Sequence, residues 1–215
     1  MEATEKKKIG IVVGAGEFTD RGIREPGVLL AAADGGYERI RALGLTPDLV
    51  IGDFDSLGYI PKEAKPVILP TEKDDTDMAA ACEALWQKGC RDLRIYGGSG
   101  SRPDHFLANL QLAAAFSRRG ADVRLVLPAC TVFLLTDGTL EFSAEPGTTF
   151  SVFSHRDRAE GVSIRGDVRY PLWEAVLSNE TALGVSNQMT GETARVDVRS
   201  GTLLVFLYEG SDAAE

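Results

Sequence analysis

Apolar residues in the first part of the chain fall in short runs, broken only by Arg94 and Arg124, each ending at a glycine, proline or polar turn. Ile9–Val13 ends at Gly14-Ala15-Gly16, Val28–Ala33 at Asp34-Gly35-Gly36, and Leu49–Ile51 at Gly52-Asp53-Phe54-Asp55-Ser56. Val67–Leu69, Leu93–Tyr96 and Val123–Leu127 close on Pro70, on Gly97-Gly98-Ser99-Gly100 and on Pro128. Runs of this length without alternation suit strands buried on both faces, as in parallel sheets. Between them the apolar spacing becomes helical. Tyr37, Ile40 and Leu43 predict a helix stopped by Gly44 and Pro47. Met78, Ala81, Cys82 and Leu85 predict a second, with Thr76 or Asp77 as N-cap. Phe106, Leu110, Ala113 and Ala114 predict a third, ending at Gly120. Alternating strand and helix signals argue an α/β domain with a mainly parallel sheet.

After Pro128 the pattern changes. Phe133–Leu135 and Leu140–Phe142 flank Asp137-Gly138 and read as a hairpin. Thr149–Phe153 reads as a strand. Ala194, Val196 and Val198 alternate with polar residues, Ser200-Gly201 makes a turn, and Leu203–Leu207 returns. Only Leu172–Leu177 hints at a helix. The expected organisation is an α/β domain over residues 1–128 and an all-β domain, a sandwich or small barrel, over residues 129–215.

A chain of 215 residues holds one large domain or two small ones. The polar start and the short apolar run after it give no signal peptide or membrane span, so the expected location is cytoplasmic. The net charge of −9 disfavours nucleic acid and anionic lipid as partners. Cys82, Cys90 and Cys130 have no metal-type spacing and read as buried free thiols.

The acidic residues carry the chemistry. Asp53 and Asp55 flank one residue after a strand, and alternate residues of an extended segment point the same way. Two carboxylates that close repel unless a cation lies between them, and Mg²⁺ takes such oxygens together with substrate phosphates. Asp34, Asp74, Asp77 and Asp104 occupy equivalent places beyond other strands, where ligands of α/β sheets bind. Gly97-Gly98-Ser99-Gly100 lies between a strand and a helix, so backbone N–H groups can face a phosphate, with Arg102 adding a forked cation. Gly14-x-Gly16 lacks the third glycine of a dinucleotide fingerprint, since Thr19 stands there, and reads as a plain tight turn. His105 begins a helix, where a cap or phosphate contact suits it better than proton transfer. His155 lies in a charged stretch expected at the surface.

Several blocks taken in order resemble bacterial thiamine pyrophosphokinases. They are Ala33-Asp34-Gly35-Gly36, Pro47-Asp48-x-x-Ile51-Gly52-Asp53-Phe54-Asp55-Ser56, Lys73-Asp74-x-Thr76-Asp77, Gly97-Gly98-x-Gly100-x-Arg102-x-Asp104-His105, and Gly184-Val185-Ser186-Asn187. The resemblance implies a Rossmann-like α/β nucleotide-binding domain followed by a β-sandwich domain that binds thiamine. It implies diphosphoryl transfer from ATP to the thiamine hydroxyl, releasing AMP. It implies Asp53, Asp55 and Asp77 around Mg²⁺ and the phosphates, with Asp77 or Asp104 as the carboxylate near the hydroxyl. Asp34, Asp74, Gly98, Gly100, Arg102, Asp104 and His105 would line the ATP site, and Ser186 and Asn187 would contact thiamine. A homodimer with thiamine at the subunit interface is implied too. The chain departs at Ala79, where many relatives carry an acid. Trp173 reads either as an aromatic that stacks on a cationic thiamine or as a core tryptophan. The alternatives are another Mg²⁺-dependent nucleotide pyrophosphokinase or transferase, a noncatalytic thiamine- or nucleotide-binding module, and an interaction protein with an acidic rim.

Overall fold

The computed structural model describes residues 7–52, 59, 66–68, 75–100 and 102–210. Among these residues it has thirteen strands and three helices, a sheet-rich fold of mixed strand direction. The chain divides into two compact units, Met1–Leu112 with Leu125–Pro128, and Ala113–Arg124 with Ala129–Glu215.

In the first unit the chain runs β1 (Ile9–Val13), β2 (Leu29–Ala33), α1 (Gly36–Ala42), β3 (Leu49–Gly52), β4 (Pro66–Ile68), α2 (Asp77–Gln87) and β5 (Asp92–Tyr96). The strand order is β5-β1-β2-β3-β4, and every one of these pairings is parallel. Ile11, Val12 and Val13 are fully buried, as the unbroken apolar runs require. Ile11, Val13, Ala32, Tyr37, Ile40 and Tyr96 pack in one core cluster. Helix α2 begins at a capped turn, where Thr76 Oγ1 accepts from the Ala79 N–H at 3.2 Å. Helix α3 (Pro103–Arg118) follows β5, with proline at its first position, where no N–H is needed. β6 (Asp122–Val126) comes next.

The second unit is antiparallel. It holds β7 (Cys130–Thr136), β8 (Thr139–Ser143), β9 (Thr149–Ser154), β10 (Arg158–Val168), β11 (Leu172–Ser178), β12 (Asn187–Asp197) and β13 (Thr202–Tyr208). β13 pairs with β7 and β9, and β10 pairs with β11 and β12. β12 pairs with β9 at Asn187–Gln188, and with β8 and β10 further along. Phe150, Val162, Ile164, Met189, Val196 and Leu203 form its core.

Two expectations are corrected here. Leu172–Leu177 is strand, not helix: it pairs with β10 through an irregular register, with Glu174 at φ +46°. Tertiary pairing overrides the helical preference of Leu, Glu and Ala. His155 is half-buried at the end of β9, and its Nδ1 is shut off from solvent. The three cysteines are buried and free. Among the described residues no helix is long and apolar enough to cross a membrane.

Candidate active site

The parallel strands of the first unit deliver their carboxyl ends to one place, centred on Gly14 just beyond β1. The Gly14 N–H donates to the Tyr96 carbonyl at 2.8 Å, tying the ends of β1 and β5. A methyl group on Gly14 would stand 2.6 Å from Met78 Cε, so the start of α2 lies against the same point. A methyl group on Gly36 would stand 1.9 Å from the Val13 carbonyl oxygen, so α1 also starts there. These glycines are required because helix starts and strand ends approach more closely than a Cβ permits.

The candidate acids are positioned by this convergence. Asp34 follows β2 in the left-handed region at φ +45° and donates its N–H to the Ile51 carbonyl at 2.8 Å. Short polar side chains tolerate that conformation better than other non-glycine residues. Asp34 packs against Gly52, the residue before Asp53. Asp77 is in the first turn of α2, next to Met78. The sequence-predicted Asp53, Asp55 and Asp74 lie outside the described residues. Among the described residues no three acidic, histidine or cysteine side chains gather as a metal cage.

At the start of α3, Arg102 and Asp104 form a fork. Nε reaches Oδ1 at 3.0 Å and Nη2 reaches Oδ2 at 2.6 Å. Both side chains are exposed. The guanidinium holds the Asp104 carboxyl down at about 2, and the backbone N–H groups at the helix start add to it. His105 is exposed and donates its backbone N–H to the Arg102 carbonyl at 3.1 Å.

Gly14-Ala15-Gly16 is a packed turn, and the N–H groups of Gly14 and Gly16 are spent on the protein. Gly16 donates to the Gly97 carbonyl at 3.1 Å and Glu17 to the Ser99 carbonyl at 2.8 Å. The second glycine loop is therefore held from the first. Asn109, one and a half turns into α3, is the residue that sequence reasoning missed. It is 8 % exposed, and its Nδ2 donates to the Gly98 carbonyl at 2.8 Å. The available signal was a polar residue on the apolar face marked by Phe106 and Leu110.

In the second unit, the Gly184 carbonyl accepts from the Val152 N–H at 2.8 Å, and a methyl group on Gly184 would stand 2.1 Å from the Val152 carbonyl oxygen. Ser186 is exposed at φ +54°, with its N–H on Ser151 Oγ at 3.1 Å. Asn187 is 3 % exposed, and its amide clamps the main chain of Tyr170. Oδ1 accepts from the Tyr170 N–H at 3.0 Å, and Nδ2 donates to the Tyr170 carbonyl at 2.6 Å. The clamp sets the 55 %-exposed Tyr170 beside the Ser186 turn. Trp173 is 68 % exposed on β11, with the Arg165 guanidinium 5.7 Å from its ring centroid.

Residues 25–125 match the family model described as thiamin pyrophosphokinase, catalytic domain. The thiamine pyrophosphokinase of Bacillus subtilis (strain 168) is 24 % identical over 191 residues, spanning 86 % of this chain and 89 % of that protein. The crystal structure of thiamine pyrophosphokinase from Bacillus subtilis superposes with a TM-score of 0.81 at 22 % identity, covering 94 % of this chain and 99 % of that one. That of thiamin pyrophosphokinase from Geobacillus thermodenitrificans gives 0.80 at 22 %, covering 96 % and 100 %. Thiamin pyrophosphokinase from Candida albicans gives 0.79 at 14 %, covering 95 % and 90 %. At these identities the structural likeness is one of fold. Together the comparisons set the chain among enzymes of the pyrophosphokinase class. Residues 25–125 are thus similar to the catalytic domain of the thiamin pyrophosphokinases.

Proposed function

We propose that the protein is a thiamine diphosphokinase, which moves the diphosphoryl group of ATP onto the hydroxyl of thiamine to give thiamine diphosphate and AMP. The observation that carries this reading is the convergence of Asp34, Asp77 and the anchored glycine loop beyond parallel strands, inside the segment that matches the family. In this reading residues 1–128 are a Rossmann-like α/β nucleotide-binding domain and residues 129–215 a β-sandwich thiamine-binding domain. The working form is a cytoplasmic homodimer with thiamine at the subunit interface.

Asp53, Asp55 and Asp77 would hold Mg²⁺, since carboxylate oxygens suit a hard divalent cation, and it would supply positive charge to offset the phosphates at an acidic site. Asp34, Asp74, Gly98, Gly100, Arg102 and His105 line the ATP site. Ser186 contacts thiamine, and the buried Asn187 serves that site by clamping Tyr170, the aromatic wall for the cationic ring.

The thiamine hydroxyl oxygen attacks the β-phosphorus. The bond from that phosphorus to the oxygen bridging the α-phosphate breaks, and AMP leaves with the electron pair. The hydroxyl proton passes to a carboxylate, for which Asp77, in the first turn of α2, and the exposed Asp104 are the candidates. Positioning and charge stabilisation supply most of the rate in such transfers. Phosphorus NMR of the protein with ATP, Mg²⁺ and thiamine tests the reading. Thiamine-dependent AMP together with thiamine diphosphate supports it, and ADP in place of AMP overturns it.

A further inference from the structure

We infer that Asn109 is a positioning residue for phosphate recognition, holding the Gly98 carbonyl so that the N–H groups of Gly98 and Gly100 face a polyphosphate chain. This rests on the proposed ATP role of the glycine loop. The loop has three consecutive carbonyls, each with its own anchor. Gly97 and Ser99 give theirs to the N–H groups of Gly16 and Glu17, and Gly98 gives its own to Asn109 Nδ2 at 2.8 Å. In a trans peptide the C=O and the following N–H point in opposite directions. Fixing the Gly97 and Ser99 carbonyls on the 14–17 turn therefore aims the N–H groups of Gly98 and Gly100 away from that turn. The Gly98 carbonyl is the exception in this row, because it turns toward α3. Left loose, it would set a negative dipole beside the two N–H groups and repel an anion. Asn109 draws it into the packed layer formed by Ile95 and Leu125 around Gly98. A buried amide on an apolar helix face must be bonded, and this bond is the one that Asn109 is placed to make.

The test uses the full-length protein and the variants Asn109→Ala and Asn109→Asp. Steady-state kinetics separates the two substrates. We expect KM for ATP to rise about tenfold in Asn109→Ala and further in Asn109→Asp, with KM for thiamine within about twofold of wild type. Parallel rises in both KM values, or a fall in thermal stability with KM for ATP unchanged, would overturn the inference. A second measurement needs no variant. Inorganic pyrophosphate with Mg²⁺, titrated into ¹⁵N-labelled wild type, should shift the Gly98 and Gly100 amides, and unmoved amides sink the idea. Wild type without thiamine-dependent AMP defeats the proposed activity instead, while the pyrophosphate titration still decides the placement of the loop.

Discussion

Single residues carry chemistry that can be read from their surroundings. Burial pushes the Cys82 thiol up to about 12, so almost no thiolate forms near neutrality. Cys82 should resist a thiol reagent in native buffer and react once urea unfolds the chain, followed by mass spectrometry of the labelled peptide. Burial alone would raise the Asp197 carboxyl, yet hydrogen bonds from Arg195, Arg165 and Thr139 hold it at about 2. Its folded value lies below the ordinary 3.8, so its stabilising contribution is complete above that value and is lost as pH falls toward 2. Asp197→Asn should lower stability by about 1–2 kcal/mol at neutral pH. Melting curves of the two proteins should converge as the solution is acidified. Asp34, Asp77 and Asp104 were legible as residues at element ends, because each follows an apolar run or precedes a helical stripe. Asn109 and Tyr170 were not. Their placement depends on hydrogen bonds to residues 11 and 17 positions away, and no local pattern encodes such a partner.

Elements were legible in proportion to how local their signal is. β1, β2 and β3 are continuous runs without a polar side chain, which few other structures permit, and β5 keeps Leu93, Ile95 and Tyr96 around Arg94. β10 escaped notice. It is interrupted by Gly161 at φ +63° and Gly166 at φ +98°, and its partners shift register around them. β11 looked helical because its residues favour helix, and only pairing with β10 makes it a strand. The Ser186 turn depends on an element contact of another kind, the close approach of Gly184 to β9. Gly184→Ala forces a methyl group onto the Val152 carbonyl and pries that contact apart. We expect a loss of about 2–3 kcal/mol in urea unfolding, the size typical of backbone strain at a packed site. Calorimetry should find thiamine binding weakened and ATP binding retained, if the turn holds thiamine as proposed.

At the scale of the molecule, a chain of net charge −9 must bind a polyanionic nucleotide. Repulsion between like charges makes such binding depend on a cation. ATP should therefore raise the melting temperature when Mg²⁺ is present and fail to do so in EDTA. A ligand at about 100 times its Kd stabilises the native state by about 2.7 kcal/mol, well within reach of a thermal shift assay. A shift that survives EDTA would remove the metal from the reading, and with it the roles given to Asp53 and Asp55.

One strand bears on how the second unit is made. β12 gives its first residues to β9 and the rest to β8 and β10. The β9–β13–β7 ladder and the β8–β12–β10–β11 ladder therefore share a single span of backbone. Loss of either ladder strips β12 of part of its pairing and so weakens the other. Partial melting of this region has no stable stopping point, so amides in both ladders should exchange with deuterium in one common opening event rather than in two.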